Sequence, residues 1–367
     1  MTAADGHSEL KSSTAQRHFV YVQYLRAIAA LLVVYFHTKI YDPQFIWRFD
    51  RSFGYGGVDI FFAVSGFIMT LNNYERRQSP GRFMISRMLR IYPPYWVATT
   101  ISVVLFFLAP FAFIKDEIDL PYIVYSYALL PLNNPAATSG GVPFLKIAWT
   151  LVFEMYFYVI FACSLAFPRA IARLSLQAAF ILAMIAYGAF QHPSGAPMSF
   201  FTSPMALEFL LGCVVGMLVG ANACDWSRSI FVVGLVAFTF LFLIGGGHGD
   251  GALRVIHLGV PAMGCLLCTA LLELHHGAEW KSSTMLLIGD ASYSIYLFHP
   301  FVLTAVRLAS KTLNIGTTSS AGGAIGVSVC VLACGLVGVL AHVWIEKPLL
   351  ILSRRAIMPR ASLVVQT

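Results

Sequence analysis

Long apolar stretches fill most of this chain, and polar residues are concentrated in the short segments between them. Each stretch is about 20 residues long, which is the length that a helix needs to cross a hydrocarbon layer of about 30 Å. Backbone groups inside such a layer have no water to bond, so a helix is predicted for every stretch. The predicted helices are 18–38, 54–73, 92–113, 144–166, 173–191, 203–221, 229–246, 254–274, 284–306 and 323–346.

Composition supports this interpretation. Hydrophobic residues make up 58% of the 367 residues and charged residues 11%, whereas a soluble domain carries about 25% charged residues. We therefore predict an all-α, polytopic integral membrane bundle of about ten transmembrane helices, with one membrane domain over residues 18–346. Residues 1–17 are predicted to be a disordered N-terminal tail, and residues 347–367 a basic C-terminal tail.

Two apolar stretches need separate interpretation. The first contains Arg26 and lacks a clear small-residue cleavage site, so we predict a retained helix rather than a removed signal peptide. The stretch 120–132 is shorter and is bracketed by Pro121 and Pro131. It is predicted to be interfacial or re-entrant rather than spanning.

The distribution of lysine and arginine predicts an orientation. With both termini in the cytoplasm, the cytoplasmic segments hold fifteen of these residues and the opposite loops hold eight. Positively charged loops stay cytoplasmic, so both tails are predicted to be cytoplasmic. The net charge of +7 is then a consequence of topology, and no nucleic-acid binding is predicted.

Ionisable side chains inside the membrane are the candidates for function, because each costs about 2.5–3.5 kcal/mol at the centre of a bilayer. Arg26 and His37 are eleven residues apart on the first helix, so they share one face about 16 Å apart. Asp59 is expected at the depth of His37, where a carboxylate can orient an imidazole for general base catalysis. The alternatives are a snorkelling Arg26 and an interfacial His37 that is hydrated.

Further polar residues add candidates. Arg87 and Arg90 lie three residues apart just before the predicted third helix, and a guanidinium pair suits phosphate groups. The alternative is simple anchoring of a positive cytoplasmic loop. The remaining candidates are Trp149 and Glu154 in the fourth helix, His299 in the ninth, and Glu346 at the cytoplasmic end of the tenth, at the depth of Arg26, with which it is a candidate partner. Glu208 in the sixth helix is equally consistent with a packing role.

Small residues recur at helical spacing in the apolar stretches. The pairs Cys265 with Cys268 and Cys330 with Cys334, and the series Gly212, Gly216 and Gly220, are predicted to serve close helix packing. No metal site is predicted from the cysteines.

Six segments, in this order, resemble acyltransferase family 3, and specifically the branch that acylates bacterial exopolysaccharides. They are YLRAIAALLVVYFH, GGVDIFFAVSGF, SRMLRIYPPYW, WTLVFEMYFY, SYSIYLFHP and the terminal EKP. The first holds the family's basic residue and histidine at Arg26 and His37, and the third its arginine pair at Arg87 and Arg90. Two departures are the absence of a second acid after Glu154 and the lysine after Glu346, where arginine is frequent.

The resemblance implies an O-acyltransferase in the bacterial inner membrane. Such a protein moves an acyl group, commonly acetyl, from cytoplasmic acyl-CoA to a sugar hydroxyl on the far side. It implies that His37 is catalytic, that Arg26 and the Arg87/Arg90 pair contact the donor, and that Glu346 is a further functional acid. Some members carry an extracytoplasmic esterase-like domain, which is not expected here.

The resemblance also sets the expected partners. They are acyl-CoA (acetyl-CoA first) as a donor substrate with no permanently bound cofactor, a glycan or lipid-linked oligosaccharide as acceptor, and membrane lipids. A homodimer or an association with polysaccharide export machinery is a further expectation. Without the resemblance, charged membrane residues equally fit a transporter or glycan flippase, a glycan polymerase or ligase, or a structural subunit of a secretion complex. His37 is expected either to deprotonate the sugar or to carry the acyl group itself.

Overall fold

A computed structural model describes most of the chain. The described residues are 19–41, 51–75, 77–109, 120–131, 142–193, 195–245, 251–312 and 320–357. They form helices joined by turns, without a strand in any of these ranges. The predicted N-terminal tail, residues 1–17, lies outside them, as do residues 110–113 of the predicted third helix, Leu132 and residues 358–367.

Fifteen helices are found in the described ranges. They are α1 Val20–Tyr41, α2 Gly57–Asn72, α3 Pro80–Leu108, α4 Leu120–Tyr127, α5 Trp149–Ser164, α6 Ala170–Gln191, α7 Met198–Phe201, α8 Ala206–Gly220, α9 Arg228–Ile244, α10 Ala252–Arg254, α11 Val260–His276, α12 Ser283–Asp290, α13 Ser292–Thr312, α14 Ser320–Ala341 and α15 Lys347–Ile357. Short 3-10 turns at Arg51–Gly56 and Lys146–Ala148 lead into α2 and α5. Single π-helical turns at Val255–Gly259 and His342–Glu346 precede α11 and α15.

The predicted membrane fold is confirmed. In the described part of the chain, eight helices are long and apolar enough to cross a membrane, or nine when α12 and α13 are counted as one bent span. The apolar helix α9 is shorter, with 17 residues. Each of the ten predicted stretches therefore coincides with helical structure, and the chain is an all-α, multi-pass bundle.

The predicted start of the third helix is wrong. Helix α3 begins at Pro80 rather than at 92, so Arg87 and Arg90 lie within it instead of in the loop before it. Ser79 caps the helix by accepting a hydrogen bond from the Arg82 N–H at 3.4 Å, and Pro80 suits the first turn because its missing N–H is not needed there. The helix continues through Pro93 and Pro94.

The predicted ninth helix is broken, and the tenth is longer than expected. The chain bends by 72° between α12 and α13, with Ala291 at the break. After the predicted tenth helix, helical structure continues past Glu346 through α15. The first residues of the predicted C-terminal tail are therefore helical.

Helix α4 lies against α3 and is too short to cross a membrane, as predicted. Its eight residues span about 12 Å at 1.5 Å per residue. Side chains of α3 satisfy carbonyl groups at its C-terminal end: Tyr95 donates to Ser126 O at 2.5 Å and Trp96 to Tyr127 O at 3.1 Å.

Glycines allow α2 and α8 to pack at backbone distance. A Cβ added to Gly212 would lie 1.9 Å from Ala63 O, and one added to Gly66 would lie 2.1 Å from Phe209 O. Gly216 and Gly220 are similarly close to Thr70 and Tyr74. The predicted glycine face on α8 is therefore confirmed.

Gly212→Ala is expected to lower the thermal unfolding midpoint of the detergent-solubilised protein. Two backbones must separate to accept the methyl group, and overpacking of this kind costs about 1–3 kcal/mol. Gly326→Ala in α14 is the control, because a Cβ there meets nothing within 4 Å. Equal midpoints for the two variants would show that α2 and α8 do not pack as described.

Two cysteines that were predicted to pack are buried in α11, on the side of α9. The Cys265 thiol lies 3.6 Å from Thr239 Oγ1, and a Cβ added to Gly234 would lie 2.8 Å from Cys268 Sγ. In α14, Cys334 is also buried, and its thiol lies 3.9 Å from His299 O. These sulfur atoms occupy helix interfaces.

Helix α1 has a central position. It packs against α2, α11, α12, α13 and α14. Glu273 of α11 caps its first turn, because the carboxylate accepts hydrogen bonds from the backbone N–H groups of Val20 at 2.6 Å and Tyr21 at 2.8 Å. These two N–H groups have no partner within their own helix, so the cap satisfies donors that would otherwise face an apolar environment.

Candidate active site

A cavity lies between α1, α2, α3, α5 and α13. Its empty volume is about 810 Å³, which includes the open space at its mouth. Three arginines line it: Arg26 from α1 and Arg87 and Arg90 from α3. Apolar side chains of α2, such as Phe61 and Phe62, form much of the remaining wall. The structure thus brings the three predicted arginines to one cavity.

Arg26 is buried and is held by neutral groups. Its Nη1 donates to Gln23 Oε1 at 2.8 Å, and its Nη2 donates to Ser292 Oγ at 2.9 Å, directly after the break before α13. The suggested pairing of Arg26 with Glu346 is not made. Glu346 instead accepts hydrogen bonds from Ser294 at 2.6 Å and from His342 Nδ1 at 2.8 Å.

Arg87 lies among aromatic and polar groups of α3 and α5. The Arg87 guanidinium is 5.4 Å from the Phe83 ring centre and 5.8 Å from that of Tyr158, at cation–π distance. Arg87 Nε is buried and has no hydrogen-bond partner among the described residues. Glu154 accepts hydrogen bonds from Tyr158 and, at 3.4 Å, from Ser65. The partners of the Glu154 carboxylate are therefore two hydroxyl groups.

His37 and His299 contact each other. Their ring centres are 4.9 Å apart. His37 Nδ1 lies 2.8 Å from Val33 O, one helical turn back, and His299 Nδ1 lies 2.6 Å from Tyr296 O. A carbonyl oxygen only accepts hydrogen bonds, so each Nδ1 carries the proton and each neutral ring has its lone pair on Nε2.

Tyr296 lies next to both the cavity and the histidine pair. Its side chain lines the cavity, and its ring centre is 6.0 Å from that of His299. The Tyr296 hydroxyl donates to Ile147 O and lies 2.7 Å from Thr150 Oγ1. Helices α1 and α13 run in the same direction, because Arg26 meets Ser292 and His37 meets His299 further along both.

The expected contact between Asp59 and His37 is not made. Asp59 is fully buried and binds Arg254 through two hydrogen bonds, Nη2 to Oδ2 at 2.7 Å and Nε to Oδ1 at 3.3 Å. The Arg254 guanidinium also lies 3.9 Å from the centre of the Tyr55 ring. Glu208 lies beside this ion pair. Asp59 faces Glu208 of α8 and Arg254 of α10, and the full positive charge of Arg254 is a stronger partner than a neutral imidazole.

Comparison with known proteins identifies the family. A family model described as an acyltransferase domain matches residues 19–343, which is nearly the whole chain. The chain belongs to acyltransferase family 3. It is thus a multi-pass membrane acyltransferase, as the six sequence motifs predicted.

Similar curated proteins support this assignment. The chain is 32% identical over 304 residues to the exopolysaccharide production protein ExoZ of Rhizobium meliloti (strain 1021), covering 82% of this chain and 90% of that protein. It is 26% identical over 313 residues to the O-acetyltransferase OatA of Staphylococcus aureus, covering 77% of this chain and 50% of OatA. The chain therefore spans about half the length of OatA. No solved structure matches the chain.

Trp149 does not line the cavity of this acyltransferase, and it lies instead against Tyr55, which contacts the Asp59–Arg254 ion pair. Its ring centre is 6.2 Å from that of Tyr55 and 5.9 Å from that of Phe153. Trp149 and Tyr55 together form an aromatic contact between α5 and the turn before α2. Trp149 therefore stays a functional candidate without a contact to either histidine in the described structure.

Two polar residues of the acyltransferase were not identified as site candidates from sequence. Arg254 was counted only as a loop charge, because it stands at the boundary of a predicted helix. His342 lies four residues before Glu346 and contacts it, and this i, i+4 spacing of histidine and glutamate was the available signal. Both lie beside residues that sequence analysis had selected.

Proposed function

We propose that this acyltransferase moves an acyl group, acetyl in the first instance, from cytoplasmic acyl-CoA across the inner membrane to a sugar hydroxyl of an exopolysaccharide or another exported glycan. The observation that carries the proposal is a cavity with three arginines whose wall includes Tyr296, and Tyr296 is next to a pair of histidines in ring contact. The names of the relatives support it, since one is an exopolysaccharide production protein and another an O-acetyltransferase.

The three arginines form the donor site. Among the described residues, none of them forms an ion pair with a carboxylate, so their charges stay available to a ligand. Glu154 is the one carboxylate among the residues that line the cavity, so the three arginines leave it with a net positive charge. Such a charge attracts a polyanion, and guanidinium groups bind phosphate oxygens with charge-assisted hydrogen bonds. Coenzyme A has phosphate groups at one end and a flexible thioester arm at the other. The arginines suit the phosphate groups, and the apolar wall of the cavity suits the arm.

His37 performs the chemistry. Its Nε2 lone pair is the nucleophilic or basic position of the ring, because the Val33 carbonyl holds the proton on Nδ1. The basic loops orient the arginines toward the cytoplasm, where acyl-CoA is made, and His37 toward the exported glycan. Only the acyl group then crosses the bilayer.

An acyl-transfer assay tests the proposal. Purified protein in lipid vesicles is incubated with labelled acetyl-CoA and an exopolysaccharide acceptor. We expect label in the glycan, in an ester that mild base removes, and release of one CoA for each acetyl group transferred. Mass spectrometry and NMR of the host glycan, with and without the gene, identify the modified position. Substrate flux across the vesicle membrane without CoA release would support a transporter instead. Transfer of whole sugars from a lipid carrier would support a polymerase or ligase.

Arg87→Gln is expected to raise KM for acetyl-CoA about tenfold or more. A hydrogen bond to a charged group contributes about 1.5–3 kcal/mol, and the buried Arg87 Nε has no hydrogen-bond partner among the described residues. The effect is measured as initial rates against donor concentration. Arg82→Gln is the matched control, because Arg82 is on the same helix but is exposed. Equal KM values for the two variants would exclude Arg87 from the donor site.

A further inference from the structure

His299 has a buried nitrogen that no protein group satisfies. The residue is 1% exposed. Nδ1 is bonded to Tyr296 O, whereas Nε2 has no hydrogen-bond partner among the described residues. Leaving a buried acceptor unpaired costs about 1–3 kcal/mol, so an unpaired group in a folded protein calls for a functional or structural reason.

The surroundings of His299 make this nitrogen a base rather than a passive core group. Both imidazoles are held in the tautomer with a free Nε2 lone pair by backbone carbonyls, and their rings are in contact. Among the described residues, no carboxylate contacts either ring, since Asp59 is bound to Arg254. When both rings are neutral, the pair therefore offers two basic Nε2 atoms in neighbouring rings.

Direct transfer from the thioester to the sugar needs one base, and a second would be redundant. Transfer through an acylated histidine needs two, because the Nε2 atom that holds the acyl group can no longer accept a proton. We propose that His37 carries the acyl group as an acyl-imidazole and that His299 is the base that activates the sugar hydroxyl. This inference rests on the proposed function and adds a catalytic residue and a route to it.

The two steps balance as follows. In the first, His37 Nε2 attacks the thioester carbon; the N–C bond forms, the C–S bond breaks, and coenzyme A leaves as a thiolate. In the second, His299 Nε2 takes the proton of the sugar hydroxyl while the hydroxyl oxygen attacks the acyl carbon. The C–O bond forms and the C–N bond breaks, which returns the lone pair to His37 Nε2. His299 releases its proton to water, and the thiolate takes one from water.

The second step keeps the charge of the pair constant. The acylated His37 ring is cationic because Nδ1 keeps its proton against the Val33 carbonyl. As His299 gains a proton, His37 loses the acyl group and becomes neutral. The two rings in contact therefore never carry two positive charges at once, which a site of this burial would strongly oppose.

The test uses the full-length protein in detergent with labelled acetyl-CoA. His299→Ala and His299→Gln are expected to release about one CoA per chain in a rapid burst and to retain the label on His37, located by mass spectrometry. Turnover with the glycan acceptor should fall about 100-fold or more, within the usual contribution of a general base. Hydroxylamine, a nucleophile that needs no base, should remove the label at the same rate from variant and wild type.

The alternatives have distinct results. The acyl-histidine would be excluded if the wild-type protein transfers acetyl to the glycan but holds no label when it is incubated with labelled acetyl-CoA alone. Variants that transfer at the wild-type rate would exclude His299 as the base. If a variant loses both the CoA burst and acyl transfer while its unfolding midpoint is unchanged, His299 is a residue that positions His37. A wild type that releases no CoA would instead reject the proposed function itself.

Discussion

Replacing His37 with alanine is expected to lower kcat for acyl transfer by about a thousandfold or more, since the change removes the reacting nitrogen rather than a supporting contact. The dissociation constant for acetyl-CoA should change by less than about twofold, because the arginines that bind the donor are elsewhere. Arg26 is about three helical turns from His37 along α1, and Arg87 and Arg90 are on a different helix, α3. The measurements are kcat with labelled acetyl-CoA and donor binding at equilibrium.

The control for His37 is another histidine with a backbone contact. His276, at the end of α11, lies 3.2 Å from Trp226 O and is outside the donor cavity, so His276→Ala should keep wild-type kcat. In cells, His37→Ala should remove the ester from the exported glycan without lowering the amount of protein in the membrane. More than a tenth of the wild-type kcat in His37→Ala would contradict a reacting role.

Replacing Arg254 with methionine is expected to lower the free energy of unfolding by about 3–5 kcal/mol, the usual cost of removing one partner of a buried ion pair. Asp59 is fully buried, and without Arg254 its carboxylate has no positive partner, with Glu208 beside it. The effect is measured as the shift in the thermal unfolding midpoint of the solubilised protein.

A double replacement separates the ion pair from the size of the side chain. Asp59→Asn added to Arg254→Met removes the stranded charge and should recover much of the lost stability. Arg228→Met is the matched control, because Arg228 pairs with Glu279 at a site where both side chains are more than half exposed, and such pairs contribute little. An Arg254→Met protein as stable as Arg228→Met would mean that the Asp59–Arg254 pair is absent in solution.

The spans were predictable because each one is a local property of the chain. Twenty apolar residues in a row predict a membrane helix whatever surrounds them, and the glycine face of α8 follows from four-residue spacing. The break at Ala291 was missed although Gly289, Asp290 and Ser292 around it are residues that favour turns. The start of α3 was missed because the charges near Arg87 suggested a loop, whereas Ser79 and Pro80 are a recognisable helix start.

The candidate site was predictable as a set of residues but not as a set of contacts. Depth in the membrane follows from position along a helix, and on that basis Arg26 and His37 were predicted to lie about three turns apart on one helix. Which neighbour a side chain faces depends on how the helices are arranged around each other. Asp59 and His37 were placed at one depth, yet Asp59 faces Arg254 and His37 faces His299. Both of those partners lie more than 190 residues further along the chain.

Two contacts that complete α1 are made by residues synthesised much later than the helix. Glu273 follows the N–H groups that it caps by 252 and 253 residues, and Ser292 follows Arg26 by 266 residues. A ribosome adds about 5–20 residues per second, so α1 enters the bilayer roughly ten seconds to a minute before these partners exist. During that time Arg26 has its partner Gln23 in the same helix but lacks Ser292. Assembly of the donor site is therefore a late event of membrane insertion, and the nascent chain must retain a poorly satisfied first helix until α11 to α13 arrive.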